Sequence, residues 1–418
     1  MTTEAANESV TNRGVLPLDG VRVLDFTQFQ SGPMSTQPLA DLGADVIKVE
    51  SIQRVDGWRG VGRGEDQWEN SPAFNWANRN KRGITLNLQD ERGRDLFRRL
   101  AATSDVLVEN YTPRVLTGFG LGYADLRSVR ADLIMVSMPG FGVSSPWRDY
   151  TAFAWTTEQM STMCHLTGYA DGPPVFTGTT GGDELAALMG AIAILAALRH
   201  RRATGEGQHV DLSQVETATS FVGDKLVEAQ LSSTEPGRLG NRSPHHAPQG
   251  IYRCAGSDSW VAIACESQQQ WAALAAHIGA PQALHELNLD ERMARHDEID
   301  AMINEWSSTR DAEHVMYELQ SRGVIAAVVA DGRRALEDPH FAARNFYLVQ
   351  DRAGTGPKQY PGQPFSYRNT PLATVNARRA PYLGEHNREV LCDELGTSAE
   401  TYAELERDHV IGDRPLSL

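Results

Sequence analysis

The chain has 418 residues, 41% of them hydrophobic and 22% charged, close to the globular average, which excludes wholesale disorder and a small disulfide scaffold. Its 39 Lys and Arg against 54 Asp and Glu leave a net charge of -15, a field that repels nucleic acid, so any anionic ligand must be held by a local cluster of donors. The four cysteines, Cys164, Cys254, Cys265 and Cys392, form no CxxC pair; no zinc knuckle or redox couple can be written, and a cytoplasmic location is expected.

Residues 1–15 lack the apolar core of a signal peptide and read as a disordered leader. From Leu16 onward, residues 21–26 (VRVLDF), 46–50 (VIKVE), 105–109 (DVLVE) and 133–137 (LIMVS) are short runs rich in β-branched residues. Between them, residues 91–102 put Leu96, Phe97 and Leu100 on one helical face. Strands alternating with helices require crossover connections, so the fold class is α/β with a parallel, Rossmann-like sheet. The longest apolar run, residues 185–198, falls short of the roughly 20 residues of a membrane span, and no membrane partner is expected. Residues 226–248 have the Pro, Gly and Ser content of a linker. Beyond it, a hairpin is expected around residues 256–258, amphipathic helices over 268–278 and 298–322, and a helix at 387–395.

No P-loop or G-x-G-x-x-G follows the first strand; Gly32 stands alone in FTQFQSGP. Glu50, ending the second strand, mimics the acidic ribose ligand of dinucleotide enzymes, but without the glycines NAD is not expected. The segment TGTTGGDELAALMGAIAILAALRH says more. Asp183 and Glu184 open a helix with Ala or Gly at 186, 187, 190, 191, 193, 196 and 197, so another backbone can approach closely and the helix is expected to be buried. Asp183 has two readings: an N-cap for the first-turn amides, or a carboxylate held charged by the helix dipole and presented to a ligand.

Taken together and in order, LPLDGVRVLDFTQFQSGP, LADLGADVIKVE, NRNKRGITLNL, DVLVENYTP, GDELAALMGAIAILAALRHRRATGEGQHVDLS and RAPYLGEHNREVL resemble the class III CoA-transferases, the family of formyl-CoA:oxalate and carnitine CoA-transferases. The resemblance runs from about Leu16 to about Leu395. It implies a large Rossmann-like domain built from both chain ends (16–225 and 336–418), an inserted small α+β domain (249–335) and an interlocked homodimer. It also implies an acyl-CoA and a free carboxylic acid as partners, with coenzyme A as the group carried and no metal.

The family's nucleophile falls on Asp183. A carboxylate with a reference pKa near ~4 is already ionised at neutral pH and attacks a thioester without a general base. Gln30 falls on a catalytic position, as an amide donor for the anionic tetrahedral states. The CoA-binding positions fall on Ser31, Leu86, Asn87, Gln89, Asn110, Tyr111, Arg114, Val115 and Phe119. Ser51, Gln89, Gly118 and Thr151 stand where the oxalate-specific members carry basic residues, so Arg54, Arg82, Arg114 and Arg148 become candidates for the phosphates. Residues 241–248 (NRSPHHAP) replace a glycine-rich loop, which disfavours formyl-CoA and oxalate and raises the question of whether His245 and His246 meet an acceptor acid. Two alternatives are an α-methylacyl-CoA racemase, for which RDYTAFAWTTEQM lacks the expected His, and a non-catalytic CoA-binding subunit of a heteromeric transferase.

Overall fold

A computed structural model describes residues 16–62, 66–233, 237–368 and 378–416; the leader expected at 1–15 lies outside them. The chain forms two compact units. Of the described residues, those up to Met163, Phe176–Val227 and those from Ala342 make up the first, and Cys164–Val175 with Glu228–Phe341 the second.

The first unit is built on a six-stranded sheet: β1 (Arg22–Phe26), β2 (Asp45–Glu50), β3 (Arg82–Thr85), β4 (Val106–Glu109), β5 (Ile134–Ser137) and β6 (His209–Asp211). The order is β3-β2-β1-β4-β5-β6 and every pairing is parallel, as in a doubly wound Rossmann-type sheet. A parallel sheet is covered on both faces, which is why its strands read as continuous apolar runs. Leu24, Ile47 and Leu107 face one core, beneath Leu96, Phe97 and Leu100 of α2 (Glu91–Thr103). Their chain neighbours Val23, Val46 and Val106 face the other core, under α1 (Ser31–Asp41) and α4 (Gly181–Thr204). A short helix, α3 (Ala154–Met160), precedes α4. Each buried Leu or Phe contributes about 1.5–3 kcal/mol, so the two layers and not local propensity hold the sheet.

The four strands expected from β-branched runs form within a residue of their expected ends, but β3 and β6 were not expected. β3 opens on a charged residue: Arg82, one of the arginines considered for the phosphates, pairs with Asp45, Glu389 and Glu394, so it braces the sheet edge with its guanidinium committed to carboxylates. β6 is only three residues long. The C-terminal stretch secures β3, since the Thr85 amide donates to Asn387 Oδ1 at 2.8 Å and the Gly83 amide to His386 Nδ1 at 3.1 Å. The helix expected at 387–395 is mostly a π-helical turn, Glu389–Glu394.

Helix α4 departs from expectation twice. At 24 residues, with an 18-residue stretch of mean hydropathy 1.6, it is, among the described residues, the one helix long and apolar enough to cross a membrane. It is also buried on one face only: Ala186, Ala187, Gly190, Ile194 and Ala197 pack inward. Leu188, Ile192 and Leu195, one helical stripe on the other side, are 60%, 57% and 39% exposed.

The second unit holds an antiparallel sheet of β7 (Gln249–Arg253), β8 (Trp260–Ala264) and β9 (Ile325–Val328). Its core gathers Tyr252, Val261 and Ile263 with Trp271 of α5 (Gln268–His277), Ile299 and Ile303 of α6 (His296–Ser307), and Val315 and Leu319 of α7 (Ala312–Gln320). The amphipathic run at 298–322 is thus two helices, because the Asp311 side chain accepts from the His314 amide and starts a new one.

Candidate active site

The strand order reverses between β1 and β4, and in open α/β sheets the crevice beyond the carboxyl ends at that point is where ligands bind. Two loops leave the sheet there, residues 27–30 after β1 and 110–113 after β4. Asn110 ties them together: its Oδ1 accepts from the Gln28 amide at 2.9 Å, and its Nδ2 donates to the Gln28 carbonyl at 2.8 Å and Ser31 Oγ at 3.2 Å. The lone Gly32 serves this junction, because a Cβ there would lie 2.4 Å from Thr27 Cβ and 2.9 Å from Asn110 Cγ.

Two clefts open from this crevice. The first, of about 270 Å3, is lined by Ser31, Asn110, Tyr111, Arg114, Val115 and Asp183 among the expected residues, together with Arg54 and Thr151. The second, of about 240 Å3, is lined by Leu86, Asn87, Gln89, Tyr111, Val115 and Phe119, with Ser51 and Arg54. Both include Arg54, Tyr111 and Val115, so they adjoin along that wall, with Asp183 lining one and residues 86–89 the other. The Tyr111 ring is fixed by stacking on Phe26, with centroids 4.8 Å apart and an interplanar angle of 28°.

Asp183 is the third residue of α4, not its cap; Thr180 occupies the N-cap, and its hydroxyl donates to Gln30 Oε1. Nor is Asp183 fully ionised at neutral pH, as a free carboxyl would be. Burial, then the neighbouring Glu158 and Glu184 carboxylates, push it up to about 7.

Gln30 does not line either cleft. It is 1% exposed, and its Nε2 donates to Glu184 Oε1 at 3.2 Å, so its amide is spent on the helix start. The first cleft is lined instead by Gln28 and Phe29, residues that the sequence reading passed over, along with Tyr150, Phe153 and Gln214. Phe29 has a left-handed backbone, φ 59°, held by its amide's bond to Asp56 Oδ1 at 2.9 Å, and its ring meets Phe153 edge to face at 5.6 Å.

Of the four candidate arginines, Arg54 and Arg114 line the clefts, and neither forms an ion pair among the described residues. Arg148 lies outside both clefts, as does Gly118. Glu50 lines the second cleft but is committed to Arg59 in a buried pair at 2.8 Å. His245 and His246 belong to the second unit; His245 is exposed, and His246 Nδ1 is buried without a hydrogen-bond partner among the described residues.

Comparison with known proteins supplies the remaining evidence. The sequence profile described as CoA-transferase family III matches residues 18–387. The chain is 34% identical to a succinyl-CoA–D-citramalate CoA-transferase of Chloroflexus aurantiacus, over 94% of this chain and 98% of that one. It is 31% identical to a formyl-CoA:oxalate CoA-transferase of Streptomyces avermitilis, over 94% and 99%. Among solved structures, a CAIB/BAIF family protein from Brucella suis superposes with a TM-score of 0.83 at 30% identity, covering 91% of this chain and all of that one. A match that spans the sheet, the crevice and the C-terminal return places the chain in CoA-transferase family III.

Proposed function

We propose that the chain transfers CoA between two carboxylic acids, with Asp183 as the nucleophile and the CoA moiety laid along the adjoining clefts. The observation that carries this is the pair of adjoining clefts in a strongly anionic chain, with the Asp183 carboxyl and Arg114 on the first and Arg54 on the wall common to both, neither arginine forming an ion pair among the described residues. The Asp183 carboxylate attacks the donor thioester, forming a mixed anhydride as the C–S bond breaks and the electron pair leaves on the CoA thiolate. The thiolate then attacks the Asp183 carbonyl, giving an aspartyl-CoA thioester and the free donor acid; the acceptor carboxylate reverses both steps. Each tetrahedral state is an oxyanion. Gln28, whose side chain makes no hydrogen bond among the described residues, offers the amide first assigned to Gln30.

The experiment is mass spectrometry of the full chain after incubation with formyl-, acetyl-, succinyl- and benzoyl-CoA. An adduct on the Asp183 peptide is expected, and its absence with every acyl-CoA overturns the reading. The apolar wall of Phe29, Tyr150, Ala152 and Phe153 beside Asp183 favours acids larger than formate and oxalate, so the larger acyl groups should label faster.

Arg54→Ala and Arg114→Ala are each expected to raise KM for the acyl-CoA about tenfold, the worth of one charge-assisted contact, with kcat little changed. Steady-state kinetics measures this, and an unchanged KM in both variants removes these residues from CoA binding. The exposed stripe of Leu188, Ile192 and Leu195 supports a homodimer in which a second copy covers it. Light scattering should show a dimer at every dilution at which the protein stays folded.

A further inference from the structure

We infer that Glu158 is a positioning residue for Asp183: from α3 it clamps the turn leading into α4 and holds a fixed negative charge beside the nucleophile. The inference rests on Asp183 being the nucleophile and deepens that reading. Glu158 has 0% exposure, and its carboxylate accepts from the Thr177 hydroxyl at 2.9 and 3.0 Å, from the Thr177 amide at 3.2 Å and from the Gly182 amide at 3.4 Å. Those bonds hold both ends of the turn over residues 177–182. The approach of α3 is close: a Cβ on Gly182 would sit 2.3 Å from Thr157 Oγ1, so the residue before the nucleophile must be glycine.

No cation pairs with Glu158 among the described residues, which makes its burial costly. A glutamine has one acceptor oxygen where Glu158 uses two, so Glu158→Gln removes the charge together with one amide bond of the clamp, and a second variant that loosens the clamp alone is needed to isolate the charge. When Asp183 attacks, its oxygen bonds to the acyl carbon, the C–S bond breaks and the negative charge departs with the thiolate. The anhydride and the aspartyl thioester are both neutral at Asp183. A fixed charge beside it therefore disfavours the free carboxylate relative to both covalent forms, and makes that carboxylate more basic and more nucleophilic.

The other charged or titratable groups around the site are few. Glu184 follows Asp183 on α4, while Arg54, Arg114, Tyr111 and Tyr150 lie on the cleft wall; the start of α1 brings the neutral Ser31 to that wall, and Gln30 just before it, bonded to Glu184, is neutral too. Glu109, pushed up to about 7 by burial at the end of β4, lies outside the clefts.

The test is the pH dependence of kcat/KM for the full chain and for Glu158→Gln and Thr177→Val. Glu158→Gln is expected to move the acid-limb midpoint down by about one pH unit. It should also lower kcat on the alkaline plateau about threefold to tenfold, with the protein still folded at the assay temperature. Thr177→Val, which loosens the clamp and keeps the charge, should lower kcat and leave the midpoint in place. A Glu158→Gln midpoint equal to that of the unmodified chain overturns the inference, as does a variant with an unaltered plateau. Labelling of the Asp183 peptide in the same samples separates this failure from failure of the nucleophile assignment, which would leave the peptide unlabelled in every variant.

Discussion

Asp183→Ala is expected to lower CoA transfer more than about a thousandfold, because the covalent intermediates have nowhere else to form and direct attack of an acid on the thioester is slow. The fold should survive, and its stability should change in a direction opposite to loss of a cap. The Asp183 carboxyl is raised above its unfolded value by burial first and then by Glu158 and Glu184. A group raised in this way contributes most to stability below its unfolded pKa, and that contribution is lost as pH rises through the folded value near 7. Asp183→Asn, which keeps the shape, should therefore melt increasingly above the unmodified protein as pH rises from 5 to 8. The linkage limit is roughly 4 kcal/mol, at about 1.4 kcal/mol per pH unit. Thermal melts at the two pH values check this; an equal difference at both would mean that the carboxyl titrates normally. Residual transfer above about one part in a thousand would remove Asp183 from the mechanism.

The sheet was legible where burial on both faces leaves a mark in composition. Val23 and Leu24, Val46 and Ile47, Val106 and Leu107 each supply one side chain to either core, and such runs stand out in the sequence. β3 and β6 left no such mark: one begins at an arginine whose partners come from β2 and from the C-terminal segment, and the other is three residues long. Because β6 went unseen, so did Gln214 just beyond it, which lines the first cleft.

At the site, Asp183 stood out as the acid opening the Ala-rich helix, but its raised pKa comes from burial first and then from Glu158 and Glu184, and neither burial nor the approach of Glu158 can be read from the sequence. The choice between Gln28 and Gln30 depends on backbone. In the QFQ stretch, the left-handed turn at Phe29 leaves Gln28 on the cleft wall while Gln30 is buried against Glu184, and spacing alone cannot reveal that turn.

What holds that turn gives the second large effect. Lys81, in the NRNKRGITLNL stretch, is 1% exposed, and its ammonium donates to Asp25 Oδ2 at 2.8 Å, the Pro33 carbonyl at 2.8 Å and Asn78 Oδ1 at 2.9 Å. Burial pushes it down to about 8 against the pull of Asp25. Asp25 also takes the Thr36 hydroxyl at 2.6 Å. Beside this pair, Lys48 bonds the Thr27 carbonyl at 2.9 Å and pairs at 3.0 Å with Asp56, which in turn accepts from the Phe29 amide. Two buried cations and two buried anions thus lie directly beneath the active-site loop. Lys81→Met should cost about 3–5 kcal/mol, since it leaves Asp25 short of a counter-charge in the interior. Asp25→Asn should cost a similar amount by exposing the two lysines to each other. The double variant should recover part of the loss, because neither charge then lacks its partner, whereas unrelated sites would simply add. Denaturant unfolding of the four proteins reads the coupling directly. A coupling below about 0.5 kcal/mol would show that the pair is not a unit. If it is one, kcat/KM in the single variants should fall together with stability, because Asp25 also accepts from the Thr27 hydroxyl at the start of the active-site loop and Lys81 holds the Pro33 carbonyl beyond its end.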